Sequence, residues 1–440
     1  MDKFRFVAVF LGILVQSLTG LLAQSADSLI ADLQAIHETV RRQPCSSPQL
    51  SSNRAMNLFL SDKIGRYLTD YKSLSFYKNF ITLNVRDGVF SLNHNLFQPT
   101  GTDEPVRTFY VVGIKATVAN ALTAPFTEKT GANDLGATLK KTWIAKPKTR
   151  LTDCFGKAAM DVKRASDLTL LAQEIKEREE EFRNSLASIN QENLTDADFA
   201  KAKNELYQNF YAKLTDEFSE KFAAQQYQEL LATERYKRIT THWTNLSIYL
   251  PVMMQRSVVA NSLTLATETR KSYPFELTVN HTQFWESKRS GRFFLSLEAN
   301  VFLSNSIQRY SLERISYNQY KSLGGNDTLS LRQRRIDAIY VGNYQTFLTP
   351  AARLTVVYYP VESHIGISTT VEQYIGTYKA LNWVIGIPVV LIDKKGAPAS
   401  NFEFQLRYAD CTHVVFPQRT FRDNISVNLT VGVPLSKIIY

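Results

Sequence analysis

Between Phe293 and Leu303 every odd position is apolar: Phe293, Leu295, Leu297, Ala299, Val301 and Leu303. The even positions place Ser296, Glu298 and Asn300 between Phe294 and Phe302. Successive side chains of an extended chain point to opposite faces, so this segment is a strand with one apolar and one polar face. The pattern recurs in 401–408, where Phe402, Phe404, Leu406 and Tyr408 alternate with Asn401, Glu403, Gln405 and Arg407. It recurs again in 425–433, where Ile425, Val427, Leu429, Val431 and Val433 alternate with Ser426, Asn428, Thr430 and Gly432. Similar alternation runs through 80–86, 89–96, 109–118, 244–254, 263–269, 273–281, 352–359, 364–372 and 381–391, with a weaker stretch at 336–344. The chain is therefore mainly β.

A soluble sandwich and a membrane barrel both produce such strands. Three features favour the barrel. The apolar faces carry almost no charge, whereas Arg86, Lys115, Glu268, Glu276, Glu298, Arg353, Glu403 and Arg407 fall on the opposite faces. Lipid demands the first property, and a polar lumen accepts the second. Trp243, Tyr273, Trp383, Phe402 and Tyr408 stand near strand ends, where an interfacial girdle would lie. The chain also stops at an aromatic, Tyr440, just after its last strand.

In these features the sequence resembles the broad class of Gram-negative outer-membrane β-barrels, over residues 80–118 and 241–440 and in its N-terminal signal. The terminal assembly signal of that class is matched only loosely by Gly432, Pro434 and Tyr440. The resemblance implies a transmembrane antiparallel β-barrel with an even number of strands, about 12 or alternatively 14, in contact with outer-membrane lipid.

Two regions are of other material. Residues 24–75 read as an N-terminal helical segment, with Leu29, Ile30, Leu33, Ile36 and Val40 at helical spacing and a second amphipathic piece from Met56 to Leu68. Residues 157–240 carry the stripe Leu168, Leu171, Ile175, Phe182, Leu186, Ile189 in a highly charged sequence. After a break near Asn190–Asn193, Thr195 and Asp198 resemble a capping box and a second stripe follows: Phe199, Leu206, Phe210, Leu214, Phe218, Phe222. Two such helices with a short break predict an antiparallel helical hairpin inserted in the barrel, the second helix reaching roughly 60 Å. The remaining division is 76–156 for the first barrel strands and a loop, and 241–440 for the other strands. Counting 80–86 as the first rising strand puts the hairpin between the third and fourth strands, on the outer surface; one strand more would reverse its side.

The first residues carry Lys3 and Arg5, then an apolar run from Phe6 to Val15 and a small residue, Ala23, before a polar stretch. That is the pattern of a cleaved signal peptide over residues 1–23, and the run is too short to span a bilayer. Export makes nucleic acid an unsuitable partner. The formal charge of +10 is uneven: residues 157–240 hold 13 Lys/Arg against 16 Asp/Glu, and residues 241–440 hold 20 against 13. Anionic headgroups or solutes suit the positive strand-rich parts. Cys45, Cys154 and Cys411 have no metal-type spacing.

No catalytic, cofactor or metal constellation emerges, so no site residue and no cofactor is expected and the protein is not read as an enzyme. His37, His94, His242, His281, His364 and His413 show no paired spacing, and His364 with Ser368 lacks the close arrangement of a barrel lipase. Gly324–Gly325 is a loop signal, and Arg332, Arg334 and Arg335 form a basic cluster. Asn-x-Ser/Thr occurs at Asn193, Asn245, Asn280, Asn326, Asn424 and Asn428; Asn428 and Asn280 fall in strands and read as lumen-face residues. The expected role is an envelope scaffold or assembly component in the cell outer membrane that binds a protein partner through residues 157–240. The alternatives are a narrow, porin-like pore for small solutes and a soluble exported β-rich binding protein.

Overall fold

The computed structural model describes residues 25–435 apart from 46, 48–49, 66–72, 86–87, 97–102, 118–133, 152–156, 188–195, 233–235, 253, 261–266, 311, 323–330 and 393–397. The leader at 1–23, Arg86, Cys154 and Gly324–Gly325 thus lie outside the described residues. The chain divides into two units. One holds residues up to 58 with 99–105 and 149–236; the other holds 59–98, 106–148 and 237–440.

The second unit is a closed barrel. Its twelve strands are β1 (Asn79–Asn84), β2 (Val89–Leu96), β3 (Thr108–Thr117), β4 (Asp134–Ile144), β6 (Tyr236–Pro251), β9 (Glu276–Ser287), β10 (Gly291–Asn305), β13 (Thr346–Tyr359), β14 (Ile367–Tyr374), β15 (Leu381–Ile392), β16 (Pro398–Tyr408) and β17 (Ile425–Pro434). Each pairs antiparallel with the next, and β1 returns to β17 with Phe80 opposite Pro434 and Asn84 opposite Thr430. Closure leaves no edge, so every wall strand finds partners on both sides, as hydrocarbon requires. A short strand, β5 (Lys148–Leu151), follows β4 in the chain.

Polarity across the wall decides what surrounds the barrel. Leu297 is 60% exposed, Phe404 54% and Val427 74%, all on the outer face, whereas Glu298 and Glu372 on the inner face are 5% exposed. A soluble β-structure would reverse this, because burying charge while wetting apolar rows forfeits the hydrophobic term and incurs desolvation. The fold is a transmembrane antiparallel β-barrel carrying a helical insertion, and the soluble alternative fails on this inversion.

The strand count of 12 holds through two compensating errors. β4 is a wall strand beyond the alternating segments, and 263–269 contributes no wall strand. Its described part belongs to β8 (Thr267–Ser272), in a small sheet with β7 (Gln255–Ala260), β11 (Glu313–Ser322) and β12 (Leu331–Val341) in the order β11-β12-β7-β8. The weak stretch at 336–344 contributes to β12, which pairs parallel with β7. The extra wall strand moves the insertion to between the fourth and fifth strands, so the chain leaves β4 and re-enters β6 at the opposite rim from the one expected. That rim otherwise carries the connections 97–107, 288–290, 360–366 and 393–397. The tightest of these leads into Gly291, whose φ of 80° favours glycine. The other rim carries the longer 118–133, 252–275, 306–345 and 409–424, besides the short 85–88 and 375–380.

The first unit is built on three helices, α1 (Ala26–Arg41), α3 (Lys157–Ala187) and α4 (Asp196–Ala232), and holds Asn53–Leu58 of α2 (Asn53–Gly65). The helical part of 157–240 ends at Ala232, and Tyr236 already begins β6. Ser25 caps α1 by accepting from the Ser28 N–H at 3.2 Å, and Arg41 near its end pairs with Glu38 at 2.7 Å. The hairpin does not pack alone: Leu29, Ile30 and Leu33 of α1 join Leu168, Leu171, Ile175, Leu214, Phe218 and Phe222 in one core. Phe182 stacks on Phe210 with centroids 3.9 Å apart. Arg164 and Glu229, both buried, pair at 2.7 Å, and Arg164 also donates to the Leu50 carbonyl at 3.0 Å.

Candidate functional site

The even residues of β10 and their ladder partners turn inward and build an ionic belt in the lumen. Glu298 stands opposite Arg353, and Arg353 opposite Glu372. The Arg353 guanidinium bridges both carboxylates, at 3.3 Å to Glu298 and 2.6 Å to Glu372. Arg407 approaches Glu372 at 3.6 Å, and amides complete the shell: Asn382 donates to Glu372 at 3.0 Å and Asn300 to Glu298 at 2.6 Å. Elsewhere on the inner wall Lys115 pairs with Glu276 at 2.9 Å and lies 4.6 Å over the Tyr249 ring. Glu403 accepts from the Ser368 hydroxyl and, at 2.9 Å, from Gln405. Gly386 makes room for this pair, since a Cβ there would collide with both Ser368 Oγ and the Glu403 carboxylate.

One end of the lumen is filled. Phe59, Leu60 and Ile64 of α2 are buried, Lys63 faces Glu286 at 3.9 Å, and Arg292 donates to the Lys63 carbonyl at 3.4 Å. Asn401 donates to the Gly65 carbonyl at 2.9 Å, and Lys140 to that of Ser73 at 2.7 Å. Asn95 binds the carbonyls of Ser75 and Tyr77. Of the strand residues that grip this plug, Glu286, Arg292 and Asn95 sit at the short-turn ends of their strands.

Beyond the plug a cavity of about 730 Å³ extends from Ile64 and Leu74, past the ionic belt, to Arg309, Tyr378, Phe416 and Arg419 at the long-loop rim. Arg309, on the short helix α5 (Ser306–Tyr310), has its charge 5.0 Å from the Phe302 ring, 4.6 Å from Tyr374 and 5.7 Å from Tyr378, and donates to Ser304 at 3.1 Å. Burial pushes the Tyr378 phenol up to about 12, so it remains a neutral hydrogen-bonding group. The neighbouring loop is set by Asp410, whose carboxylate accepts from the N–H groups of Val414, Val415 and Phe416. Arg419 lies 3.7 Å over Phe416.

Lys115, Glu276, Glu298, Arg353, Glu403 and Arg407 thus share the lumen as the alternation predicts, whereas Glu268 is on β8. Trp243 is a correction. It was placed in a girdle but is buried and lines the cavity; it shares parity with Asn245 and Ser247, and that polar parity was the available signal. The histidines need another. His242 and His281, on neighbouring strands, bring their rings to 5.5 Å on the outer face, with Thr244 at 2.9 Å from His281. Among the described residues no group of three or more His, Cys, Asp or Glu could hold a metal. Ser368 serves Glu403, and Arg332, Arg334 and Arg335 lie on β12 opposite Lys321, Gln319 and Asn318. Asn245, Asn280 and Asn428 face the lumen. Arg309 and its rings had no signal, because the three aromatics are scattered over three segments.

No protein family matches the chain, and no curated protein matches it. Among solved structures, the beta domain of the Bordetella autotransporter BrkA aligns over 82% of this chain and 96% of its own, at 10% identity and a TM-score of 0.26. A loop L8 deletion mutant of OmpT, an outer membrane protein of Vibrio cholerae, aligns over 81% and 95%, at 6% identity and a TM-score of 0.22. The fold rests on the strand pairing, and these likenesses add nothing to it.

Proposed function

We propose that the chain is an outer-membrane anchor whose barrel holds a three-helix unit on the periplasmic side, where that unit docks another envelope protein. The observation that carries this reading is the connectivity. In bacterial barrels short turns face the periplasm and long loops the exterior, and the helical insertion leaves β4 and re-enters β6 at the rim with the short turns. Its outer faces are rich in charge, and Val162 and Leu170 are exposed apolar residues on α3. Such a role requires no catalysis and no cofactor.

The pore reading is disfavoured by the plug, because residues 59–65 and 73–77 fill the short-turn end of the lumen. Two measurements on the full chain test the proposal. In a chain with Cys45, Cys154 and Cys411 changed to Ser, a cysteine replacing Leu170 should be silent to a membrane-impermeant thiol reagent in intact cells and reactive once the outer membrane is permeabilised. Purified protein in planar bilayers should give no ohmic steps. Labelling in intact cells would put the helices outside, and steady conductance would restore the pore.

A further inference from the structure

The long-loop mouth of the cavity carries two arginines, Arg309 and Arg419, that are seated on aromatic rings. The belt arginines are matched with glutamates, as is Lys115. Arg309 and Arg419 are different. Among the described residues neither forms an ion pair with a carboxylate. Two carboxylates lie nearby, Asp423 close enough to feel Arg419 and Asp410 close enough to feel Tyr378, and each is held by donors of its own loop: Thr420 N–H at 3.0 Å and hydroxyl at 2.8 Å for Asp423, and the N–H groups of Val414, Val415 and Phe416 for Asp410.

Both guanidiniums are held by rings instead, Arg309 by Phe302, Tyr374 and Tyr378 and Arg419 by Phe416. Both arginines line the same cavity, and Val415, next to Phe416, packs on the cluster that contains Tyr374 and Tyr378. Contact with rings uses none of a guanidinium's N–H donors, which remain to fork onto a carboxylate or phosphate. With Nε of Arg309 donating to Ser304, its terminal edge is the remaining donor. A cation fixed before its anion arrives loses little entropy on binding.

We infer that this mouth is a binding site for the phosphate or carboxylate group of a small anion, gripped by Arg309 and Arg419 with the rest of the solute in the polar cavity. The cavity volume of about 730 Å³ lies within the range of small-molecule sites. The site opens on the long-loop side and is independent of the helical unit, so it stands or falls apart from the docking role.

The probe is inorganic pyrophosphate, titrated calorimetrically into the full chain in neutral detergent at physiological ionic strength. Wild type should bind, and Arg309→Gln/Arg419→Gln should bind at least tenfold more weakly. Lys288→Gln/Arg289→Gln, which removes equal charge in the turn at the opposite rim, should bind as wild type does. Should the double variant fail to fold, Arg419→Gln alone, on an exposed loop, should weaken binding at least threefold. Wild type without binding at about 1 mM, an unchanged double or single variant, or an equal loss in the Lys288/Arg289 control would overturn the site. In nanodiscs, competition by phosphatidylglycerol over phosphatidylcholine would identify the anion as a lipid headgroup, and its absence a soluble solute; the site holds in both cases.

Discussion

Replacing Arg353 by Met removes the cation that bridges Glu298 and Glu372. Deleting one partner of a buried ion pair costs about 3–5 kcal/mol, because the other charge stays buried without compensation. Three details of the belt set where in that range the loss falls. The Arg353 side chain is 29% exposed, against 6% for each glutamate, so cavity water reaches the cation more than the anions. Glu372 keeps Arg407 at 3.6 Å and the Asn382 amide, whereas Glu298 keeps the Asn300 amide. With cavity water at the cation and these contacts remaining to both glutamates, the loss falls at the low end of that range, about 3 kcal/mol, a large share of an ordinary folding free energy. Urea unfolding of the full chain in neutral detergent, followed by tryptophan fluorescence, measures it. Adding Glu298→Gln to Arg353→Met should recover most of the loss, since it neutralises the group left behind. A single variant within about 1 kcal/mol of wild type, the scale of an exposed pair, would refute the belt's energetic role. So would a double variant no better than the single.

Phe218, fully buried among α1, α3 and α4, should cost about 3–5 kcal/mol when cut to Ala, read as proteolysis within 157–232 at unchanged barrel unfolding; a barrel that loses insertion would refute the division into units. Asp103 receives hydrogen bonds from the Arg54 N–H at 2.9 Å and the Asn53 amide, yet burial outweighs them and pushes its carboxyl up to about 6. A raised carboxyl favours the protonated fold, so this residue's contribution declines as pH rises from about 4 through 6. Asp103→Asn should match wild type near pH 4 and gain on it by pH 7 in thermal melts; parallel curves would contradict this.

The barrel was legible because lipid selects one face of every strand, and that selection is local. It blurred at β4, where Lys141 interrupts the outward row of Leu135, Ala137, Leu139 and Trp143. Lys141 is tolerated there because it lies 5.2 Å over Tyr110 and 5.0 Å over Trp143 at the strand end, the stem covered and the charge directed to the interface. The plug was not legible, since Phe59, Leu60 and Ile64 make an ordinary apolar stripe and nothing local says that it enters a barrel. Nor was the joining of α1 to the hairpin, whose stripe reads as self-sufficient. The mouth arginines escaped notice for the same reason: their partners come from long-range closure.

The central claim is a barrel with lipid outside and charge inside, and one pair of adjacent residues tests it. In a chain with Cys45, Cys154 and Cys411 changed to Ser, Leu297→Cys and Glu298→Cys are compared in isolated membranes with a lipid-soluble and a charged maleimide. Leu297→Cys should react with the lipid-soluble reagent and not with the charged one, while Glu298→Cys should escape the lipid-soluble one. A protein that partitions into the aqueous fraction, with the thiol at position 297 shielded from both reagents, would contradict the account.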